Sequence, residues 1–307
     1  VGSEMCIRDR HSMRLISFCK ILLLSGCFTT VCTSMNAQDK VMKKQDSPID
    51  IDLWQNGLPN TNGMEAQGYD DKKNNFKPSI RVYLPKASQQ PARAVIICPG
   101  GGYGHLAMAH EGYDWAPFFN EQGIAAIVLK YRMPNGNREV PMSDAYEAIR
   151  YAKEHASEWN INPDCIGIMG FSAGGHLAST VATHASEELR PAFQILFYPV
   201  ISMEPKYGHG GSCRQFLGEK ATEELKKEFS NEYQVDSLTP RAFIALSDDD
   251  RGVVPMNSIR YYSALKEKEI PAAMYIYPSG GHGWGMKDSF KFRNEMLMEL
   301  KAWLMTF

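Results

Sequence analysis

Short apolar runs rich in valine and isoleucine recur from residue 80 onward, and they constrain the fold more than any other feature of the chain. Several of them are continuous rather than alternating, which is the pattern of strands buried on both faces of a sheet. The predicted strands are residues 80–84, 94–98, 125–131, 165–170, 193–200, 242–246 and 273–277. Helix-length segments separate most of them, so the sequence predicts one α/β domain with a mostly parallel central sheet flanked by helices.

Four helices are predicted, at residues 144–156, 173–185, 257–268 and 290–304. In the first, alanines and an isoleucine share one face at helical spacing, and Asp144 and Glu147 are placed to cap its start. Residues 211–235 interrupt the alternation with a charged, helix-prone insertion. We expect this insertion to form a small cap over the carboxyl edge of the sheet, within the same domain.

The segment Gly170-Phe171-Ser172-Ala173-Gly174 directly follows a predicted strand and opens a helix. A serine hydroxyl is a poor nucleophile unless it is exposed, aimed and activated by a base. A sharp strand-to-helix turn aims it, and glycines two before and two after remove side chains that would clash. The amides at the start of the helix also suit developing negative charge. G-x-S-x-G alone is a weak signal, but this context favours Ser172 as a nucleophile.

A glycine-rich segment with the sequence PGGGYG, residues 99–104, follows another predicted strand. Acyl transfer needs backbone N–H groups aimed at the oxyanion, and glycines let the main chain come that close. We therefore assign the donors to the N–H of Gly101 or Gly102 together with the N–H of Ala173. The same segment fits the dinucleotide fingerprint G-x-G-x-x-A, but no acidic residue ends the next predicted strand, so nicotinamide binding is a weak interpretation.

The base and its acid should follow the serine in the order acid, then histidine. His282 lies in the segment SGGHGW after the last predicted strand, where its glycines let the loop reach over the sheet edge. His176 and His184 lie on the helix behind the serine, where structural roles are expected. The acid should end the preceding strand, where three aspartates stand together. Counting from that strand favours Asp250 and leaves Asp249 open.

The N-terminal residues are interpreted separately from the fold. Residues 1–12 are expected to be an artefact, because the first ten resemble an in-frame translation of a sequencing adapter. Residues 13–37 have the parts of a secretory signal peptide, and an alternative takes Cys27 as a lipidated lipoprotein cysteine. Either route predicts a periplasmic or secreted protein of a bacterial envelope. Residues 38–78 are expected to be a lead-in, and residues 79–307 the α/β domain.

Charge and cysteine content exclude several classes of function. The formal net charge of −2 gives no basic field to hold nucleic acid phosphates. The apolar stretch of the leader is shorter than the about 20 residues that span a bilayer, so no transmembrane segment is expected. Cys98, Cys165 and Cys213, which follow the leader, give neither a disulfide framework nor a metal pair. The aspartate run lacks the glycine of a calcium loop, and we expect no metal.

With these motifs in this order, the chain resembles the α/β-hydrolase superfamily and, within it, the bacterial acetyl xylan esterase-like carbohydrate esterases. The resemblance rests on PGGGY, GFSAGGHLA, DDD followed by VVP, and GGHGWG, and runs from about residue 52 to residue 304. It implies an α/β-hydrolase fold with Ser172 as nucleophile, His282 as base and Asp250 as acid, and no cofactor. In relatives the acid usually stands four residues before the proline, whereas Asp250 stands five before it, so Asp249 remains an alternative.

Three aromatic residues, Tyr103, Phe171 and Trp284, flank the expected catalytic positions in the sequence. They could line a small acyl pocket or stack on a sugar, and aromatic residues in such places are as often part of the core. Both interpretations stay open at this point.

The resemblance implies hydrolysis of acetyl esters on plant polysaccharide or oligosaccharide of the xylan type through an acyl-enzyme. Two enzymatic alternatives keep the same triad: a feruloyl esterase and a serine peptidase of the prolyl oligopeptidase type. A further alternative is a non-catalytic carbohydrate-binding protein on a hydrolase fold. The complete triad argues against that last hypothesis, because a decayed site commonly loses one member.

Overall fold

A central sheet of eight strands organises residues 47–307, the part of the chain that this computed structural model describes. The strands are β1 (Ile49–Asp52), β2 (Ser79–Tyr83), β3 (Ala92–Cys98), β4 (Ile124–Lys130), β5 (Ile161–Phe171), β6 (Phe193–Phe197), β7 (Arg241–Ser247) and β8 (Ala272–Tyr277). Their order across the sheet is β1-β2-β4-β3-β5-β6-β7-β8. All pairs from β4 to β8 are parallel, whereas β2 is antiparallel to β1 and β4. The predicted mostly parallel α/β sheet is confirmed.

The helices lie in the connections between the strands and cover the two faces of the sheet. Those within residues 47–307 are α1 (Ala116–Glu121), α2 (Glu139–Glu154), α3 (Ala156–Trp159), α4 (Ser172–His184), α5 (Gly210–Leu217), α6 (Glu223–Glu228), α7 (Met256–Glu267) and α8 (Arg293–Leu304). None of these helices has the length and apolar character needed to cross a membrane. The four predicted helices correspond to α2, α4, α7 and α8, with shifted boundaries.

The central strands are buried on both faces, which explains their continuous apolar sequences. Every residue of β6 is buried, and so is every residue of β4 except its last. Each large aliphatic side chain removed from water in this way contributes about 1.5–3 kcal/mol. Burial on both faces requires helices on both sides of the sheet. Because these strands are parallel, the carboxyl ends of β3, β5, β7 and β8 lie at the same edge. The loops at that edge carry the predicted site.

The segment predicted as a lead-in also contributes to the domain. Its strand β1 pairs with β2 at the edge of the sheet, with Ile51 opposite Ile80, and Leu53 is buried in the core. This short strand was not among those predicted from the sequence. The expected adapter segment, the signal peptide of residues 13–37 and Cys27 lie outside the described residues.

The charged insertion of residues 211–235 forms α5 and α6 at the carboxyl edge of the sheet. The ring of Phe216 in α5 stacks on Tyr103 with 4.9 Å between ring centroids. The backbone N–H of Gly136 donates to the carbonyl of Gln215 at 2.7 Å. The insertion therefore packs beside the glycine-rich loop that follows β3.

Candidate active site

Ser172 lies at the sharp turn between β5 and α4 and has a φ of 51°. This left-handed conformation is costly for a residue with a side chain and is concentrated at functional sites. The flanking glycines make the turn possible. A Cβ on Gly170 would lie 2.1 Å from the carbonyl oxygen of Gly174, and one on Gly174 would lie 2.1 Å from that of Cys98. The backbone therefore leaves no room for a side chain at either position.

The side chains of Ser172, His282 and Asp250 form one hydrogen-bonded series. Nε2 of His282 lies 2.7 Å from Oγ of Ser172, and Nδ1 of His282 lies 2.6 Å from Oδ2 of Asp250. The carboxylate of Asp250 is fully buried, and its Oδ1 accepts the backbone N–H groups of Gly252 and Val253 at 2.8 and 2.9 Å. Because Asp250 accepts the Nδ1–H, Nε2 is left as the proton acceptor that faces the serine hydroxyl.

The neighbouring carboxylate of Asp249 has a different partner. Its Oδ1 accepts the backbone N–H of Gly281 at 2.8 Å, next to the histidine. Asp249 is exposed. Of the two aspartates left open by the sequence, the structure brings Asp250 to the imidazole.

The glycine-rich loop after β3 runs directly beside the serine. A Cβ on Gly100 would lie 3.0 Å from Cβ of Ser172, and Gly101 and Gly102 have φ values of 137° and 64° that favour glycine. Within residues 47–307, the N–H groups of Gly101 and Gly102 donate to no protein acceptor. Ala173 is the second residue of α4, where a backbone N–H has no partner inside the helix. The expected oxyanion donors thus come from the loop that passes beside the serine and from the residue after it, and they have no protein acceptor among the described residues.

The aromatic residues that the sequence placed beside the catalytic positions belong to the core, so their interpretation as substrate-lining residues is wrong. Tyr103 and Phe171 are fully buried and Trp284 is 3% exposed. Tyr103 stacks on Phe216, and Trp284 stacks on Phe290 with 3.9 Å between ring centroids. Their backbones border the site, but the side chains point into the protein interior.

His176 is a structural histidine, as its position on the helix suggested. Its Nδ1 lies 2.9 Å from the hydroxyl of Tyr103, and its Nε2 lies 2.8 Å from the carbonyl oxygen of Phe229. Burial lowers the pKa of His176 to about 3. The ring is therefore neutral, with Nε2–H donating to the carbonyl and Nδ1 accepting from the tyrosine.

His209 lies next to the glycine-rich loop of residues 99–104, which is called the oxyanion loop from here on. Sequence reasoning did not single out this position of His209. Its Nδ1 accepts the backbone N–H of Ser212 at 3.1 Å, and its Cε1 lies 3.8 Å from the place that a Cβ on Gly102 would take. Burial, followed by the charge of nearby His282, lowers the pKa of His209. The ring is therefore neutral and carries its proton on Nε2, which has no hydrogen-bond partner among the described side chains and backbone.

Cysteines and metal ligands play no visible part in this arrangement. Cys98, Cys165 and Cys213 are free thiols, and Cys98 is fully buried. Burial raises the pKa of the Cys98 thiol, which keeps it protonated and unreactive. In residues 47–307, no three side chains of histidine, cysteine, aspartate or glutamate lie close enough to hold a metal ion.

Known proteins share both the sequence and the fold around this site. The acetylxylan esterase of Xylanibacter ruminicola is 44% identical over 232 residues, which are 74% of this chain and 48% of that protein. The endo-1,4-beta-xylanase B of Butyrivibrio fibrisolvens is 36% identical over 223 residues, which are 68% of this chain and 35% of that protein. The chain thus spans less than half the length of either relative.

The crystal structure of an acetyl ester-xyloside bifunctional hydrolase from Caldicellulosiruptor lactoaceticus is similar over most of the molecule. Its TM-score is 0.74 at 34% identity, and the match covers 84% of this chain and 96% of that one. A sequence model of the BD-FAE family matches residues 80–265, which include Ser172 and Asp250. The protein therefore belongs to the BD-FAE family, within the α/β-hydrolase superfamily.

Proposed function

We propose that this protein is a serine esterase that hydrolyses acetyl esters on plant polysaccharide or oligosaccharide of the xylan type. The observation that carries the proposal is the series Ser172–His282–Asp250, with hydrogen bonds of 2.7 and 2.6 Å. The names of the similar proteins from Xylanibacter ruminicola and Caldicellulosiruptor lactoaceticus, an acetylxylan esterase and an acetyl ester-xyloside hydrolase, support an acetyl ester and a xylose-based alcohol.

In the first half of the proposed reaction, Nε2 of His282 takes the hydroxyl proton as Oγ of Ser172 bonds to the acetyl carbonyl carbon. The carbonyl π electrons move to oxygen, and the N–H of Ala173 with that of Gly101 or Gly102 stabilises the charge. The intermediate then re-forms its C=O and breaks the bond to the sugar oxygen, which takes the proton from His282. The products are the free sugar hydroxyl and an acetyl-serine.

In the second half, water replaces the sugar. His282 takes a proton from the water as its oxygen attacks the acetyl carbonyl, and the same N–H groups stabilise the second oxyanion. The bond to Oγ breaks, Ser172 recovers a proton from the imidazolium, and the product leaves as acetic acid, which loses its proton to solvent to give acetate. The buried Asp250 carboxylate stabilises the imidazolium in both halves and holds the ring in the required tautomer.

A polar depression beside the oxyanion loop supports a hydroxyl-rich alcohol as the leaving group. A depression of about 350 Å³ adjoins Gly102 of the oxyanion loop and is lined by glycines and by the polar side chains of Asn135, Arg214 and Gln215, among others. The Nε2–H of His209 adds a neutral donor on the same side. Polar donors and acceptors of this kind suit sugar hydroxyl groups.

The same surroundings weigh against a feruloyl ester as the preferred substrate. The side chains of Tyr103, Phe171 and Trp284, which flank the catalytic residues in sequence, are buried and cannot stack on an aromatic acyl group. The hydrogen bonds among the three triad residues also weigh against a non-catalytic carbohydrate-binding protein, which has no need of an aligned serine, imidazole and carboxylate.

A substrate panel tests this proposal. We expect the full chain to release acetate from acetylated xylo-oligosaccharides and to turn over p-nitrophenyl acetate. The value of kcat/KM for the acetate should exceed those for methyl ferulate and for a prolyl p-nitroanilide by at least about tenfold, since a specific esterase discriminates substrates by the contacts that each makes in the transition state. Higher efficiency on the ferulate or the peptide would contradict the proposal. Absence of turnover, together with no labelling by a fluorophosphonate, would favour the binding protein.

We also propose that the protein acts in the periplasm or outside the cell. The support is the arrangement of basic, apolar and small residues in residues 13–37. Fractionation of a bacterium producing the chain should place the protein outside the cytoplasm. Incorporation of labelled fatty acid that disappears in Cys27→Ala would identify the lipoprotein route.

A further inference from the structure

A buried carboxylate outside the triad, that of Glu111, contacts the oxyanion loop. Glu111 is 3% exposed, and its Oε2 accepts the backbone N–H of Gly100 at 2.9 Å. Its Oε1 accepts the hydroxyl of Tyr198 at 2.8 Å. The one basic side chain within 4.0 Å in residues 47–307 is His110, at 3.9 Å. A buried carboxylate without a close cation depends on its hydrogen bonds, so these two bonds fix the position of Glu111.

Tyr198 continues this connection to the loop that carries His282. Its hydroxyl oxygen accepts the backbone N–H of Gly285 at 2.8 Å, and its ring lies against the imidazole with 4.9 Å between centroids. Burial and the negative charge of Glu111 raise the pKa of Tyr198, so the hydroxyl keeps the proton that it donates. Tyr198 has a φ of 35°, a strained conformation that directs the chain at the end of β6.

The backbone next to Glu111 also packs directly on the histidine loop. The N–H of Met286 donates to the carbonyl of His110 at 2.8 Å. A Cβ on Gly285 would lie 2.3 Å from the same carbonyl oxygen. The two segments are therefore in close contact. The side chain of Glu111 accepts a hydrogen bond from the oxyanion loop directly and is connected through Tyr198 to the loop that carries His282.

We propose that Glu111 is a positioning residue for the hydrolysis proposed above, which fixes the oxyanion loop and the His282 loop relative to each other through Gly100 and Tyr198. The base and the oxyanion donors come from different loops, and the transition state requires both at once. Small displacements between them weaken transition-state stabilisation more than ground-state binding. Loss of the connection should therefore lower kcat and leave KM nearly unchanged.

The competing interpretation is that Glu111 contributes to folding alone, and the chain offers a matched control for it. Asp144 is a fully buried carboxylate that pairs with Arg132 at 2.7 Å and accepts Nε1–H of Trp54 at 2.7 Å. Neither partner belongs to the catalytic loops. Replacing Asp144 therefore perturbs a buried carboxylate network without acting on the triad.

The experiment compares Glu111→Gln, Tyr198→Phe and Asp144→Asn in the full chain. A fluorophosphonate counts the competent serines, p-nitrophenyl acetate gives kcat per labelled serine and KM, and a trifluoromethyl ketone reports affinity for a tetrahedral adduct. We expect Glu111→Gln and Tyr198→Phe each to lower kcat per labelled serine by about 10- to 100-fold. Ketone affinity should fall by a similar factor, with KM changed by less than about threefold. Asp144→Asn should lower the unfolding temperature and leave kcat per labelled serine within about threefold.

Unchanged kcat per labelled serine in Glu111→Gln and Tyr198→Phe would overturn the positioning role and leave the esterase proposal intact. If Glu111→Gln does not fold, Tyr198→Phe decides the question, because it removes the hydroxyl and retains the ring against His282. Absence of ester turnover in the unsubstituted protein would refute the proposed function and, with it, this inference.

Discussion

Asp249 and Asp250 are adjacent in the sequence, but Asp250 binds the imidazole of His282 whereas Asp249 binds the backbone of the loop that carries it. The bond from Nδ1 of His282 to Asp250 is 2.6 Å, and the bond from Gly281 N–H to Asp249 is 2.8 Å. Asp250 is buried and Asp249 is exposed. The two carboxylates therefore have separable effects on catalysis.

Replacing these aspartates one at a time should give very different losses. Asp250→Asn presents an amide to the imidazole and favours the wrong tautomer, so kcat on p-nitrophenyl acetate should fall by about 10⁴-fold. Asp249→Asn removes a negative charge at an exposed position but keeps an oxygen that can accept the N–H of Gly281, so it should lower kcat by less than about tenfold. Rates are normalised to the serines that a fluorophosphonate labels. Similar losses in both variants would contradict the assignment of Asp250.

The turn at Ser172 should tolerate no side chain at Gly174. A Cβ there would lie 2.1 Å from the carbonyl oxygen of Cys98 and 2.4 Å from that of Pro99, both backbone atoms that cannot rotate away. Gly174→Ala should lower the free energy of unfolding by more than about 2 kcal/mol. Gly104→Ala is the control, because its nearest neighbour would be 3.8 Å away, and it should change stability by less than about 0.5 kcal/mol. Equal stability of the two variants in urea titrations would refute the steric argument.

His176 should make the folded protein sensitive to acid. Burial lowers its pKa to about 3 from the ordinary value of 6.5, so between these pH values the unfolded chain binds a proton that the folded protein does not. The stability that His176 gives by staying neutral is fully present above about pH 6.5 and is lost as the pH falls toward 3. Over this range the free energy of unfolding should fall by at most about 1.4 kcal/mol per pH unit for this group. Urea unfolding between pH 4.5 and 7.5 should show a shallower slope for His176→Gln than for the unsubstituted protein. Identical slopes would show that His176 is not buried in the neutral form.

The local patterns of the sequence were sufficient for the parts of the fold that depend on neighbouring residues. Strands buried on both faces leave continuous apolar runs, and the steric needs of the turn leave glycines around Ser172, so both could be predicted. The strand β1 has only four residues, mostly exposed, and is defined by pairing with β2 rather than by its own burial. A local pattern contains little information about such an edge strand.

Long-range partners account for what the sequence could not predict. Asp144 was expected to cap a helix, but α2 begins at Glu139, so Asp144 lies inside the helix and pairs with the buried Arg132. The side-chain directions of Tyr103 and Trp284 depend on the core that they pack against, and closeness in sequence to a catalytic residue does not determine them. Glu111 gave no signal because its partners, at Gly100 and Tyr198, come from two other segments.

The central claim is that Ser172 carries the acetyl group during hydrolysis of an acetylated xylan-type carbohydrate. The direct measurement is acetate released from acetylated xylo-oligosaccharides by the unsubstituted protein and by Ser172→Ala, with mass spectrometry of the protein during turnover. We expect steady acetate release and an acetyl group on Ser172 in the unsubstituted protein, and a rate at least about 10⁴-fold lower in the variant. Acetate release by Ser172→Ala at the rate of the unsubstituted protein would contradict the account.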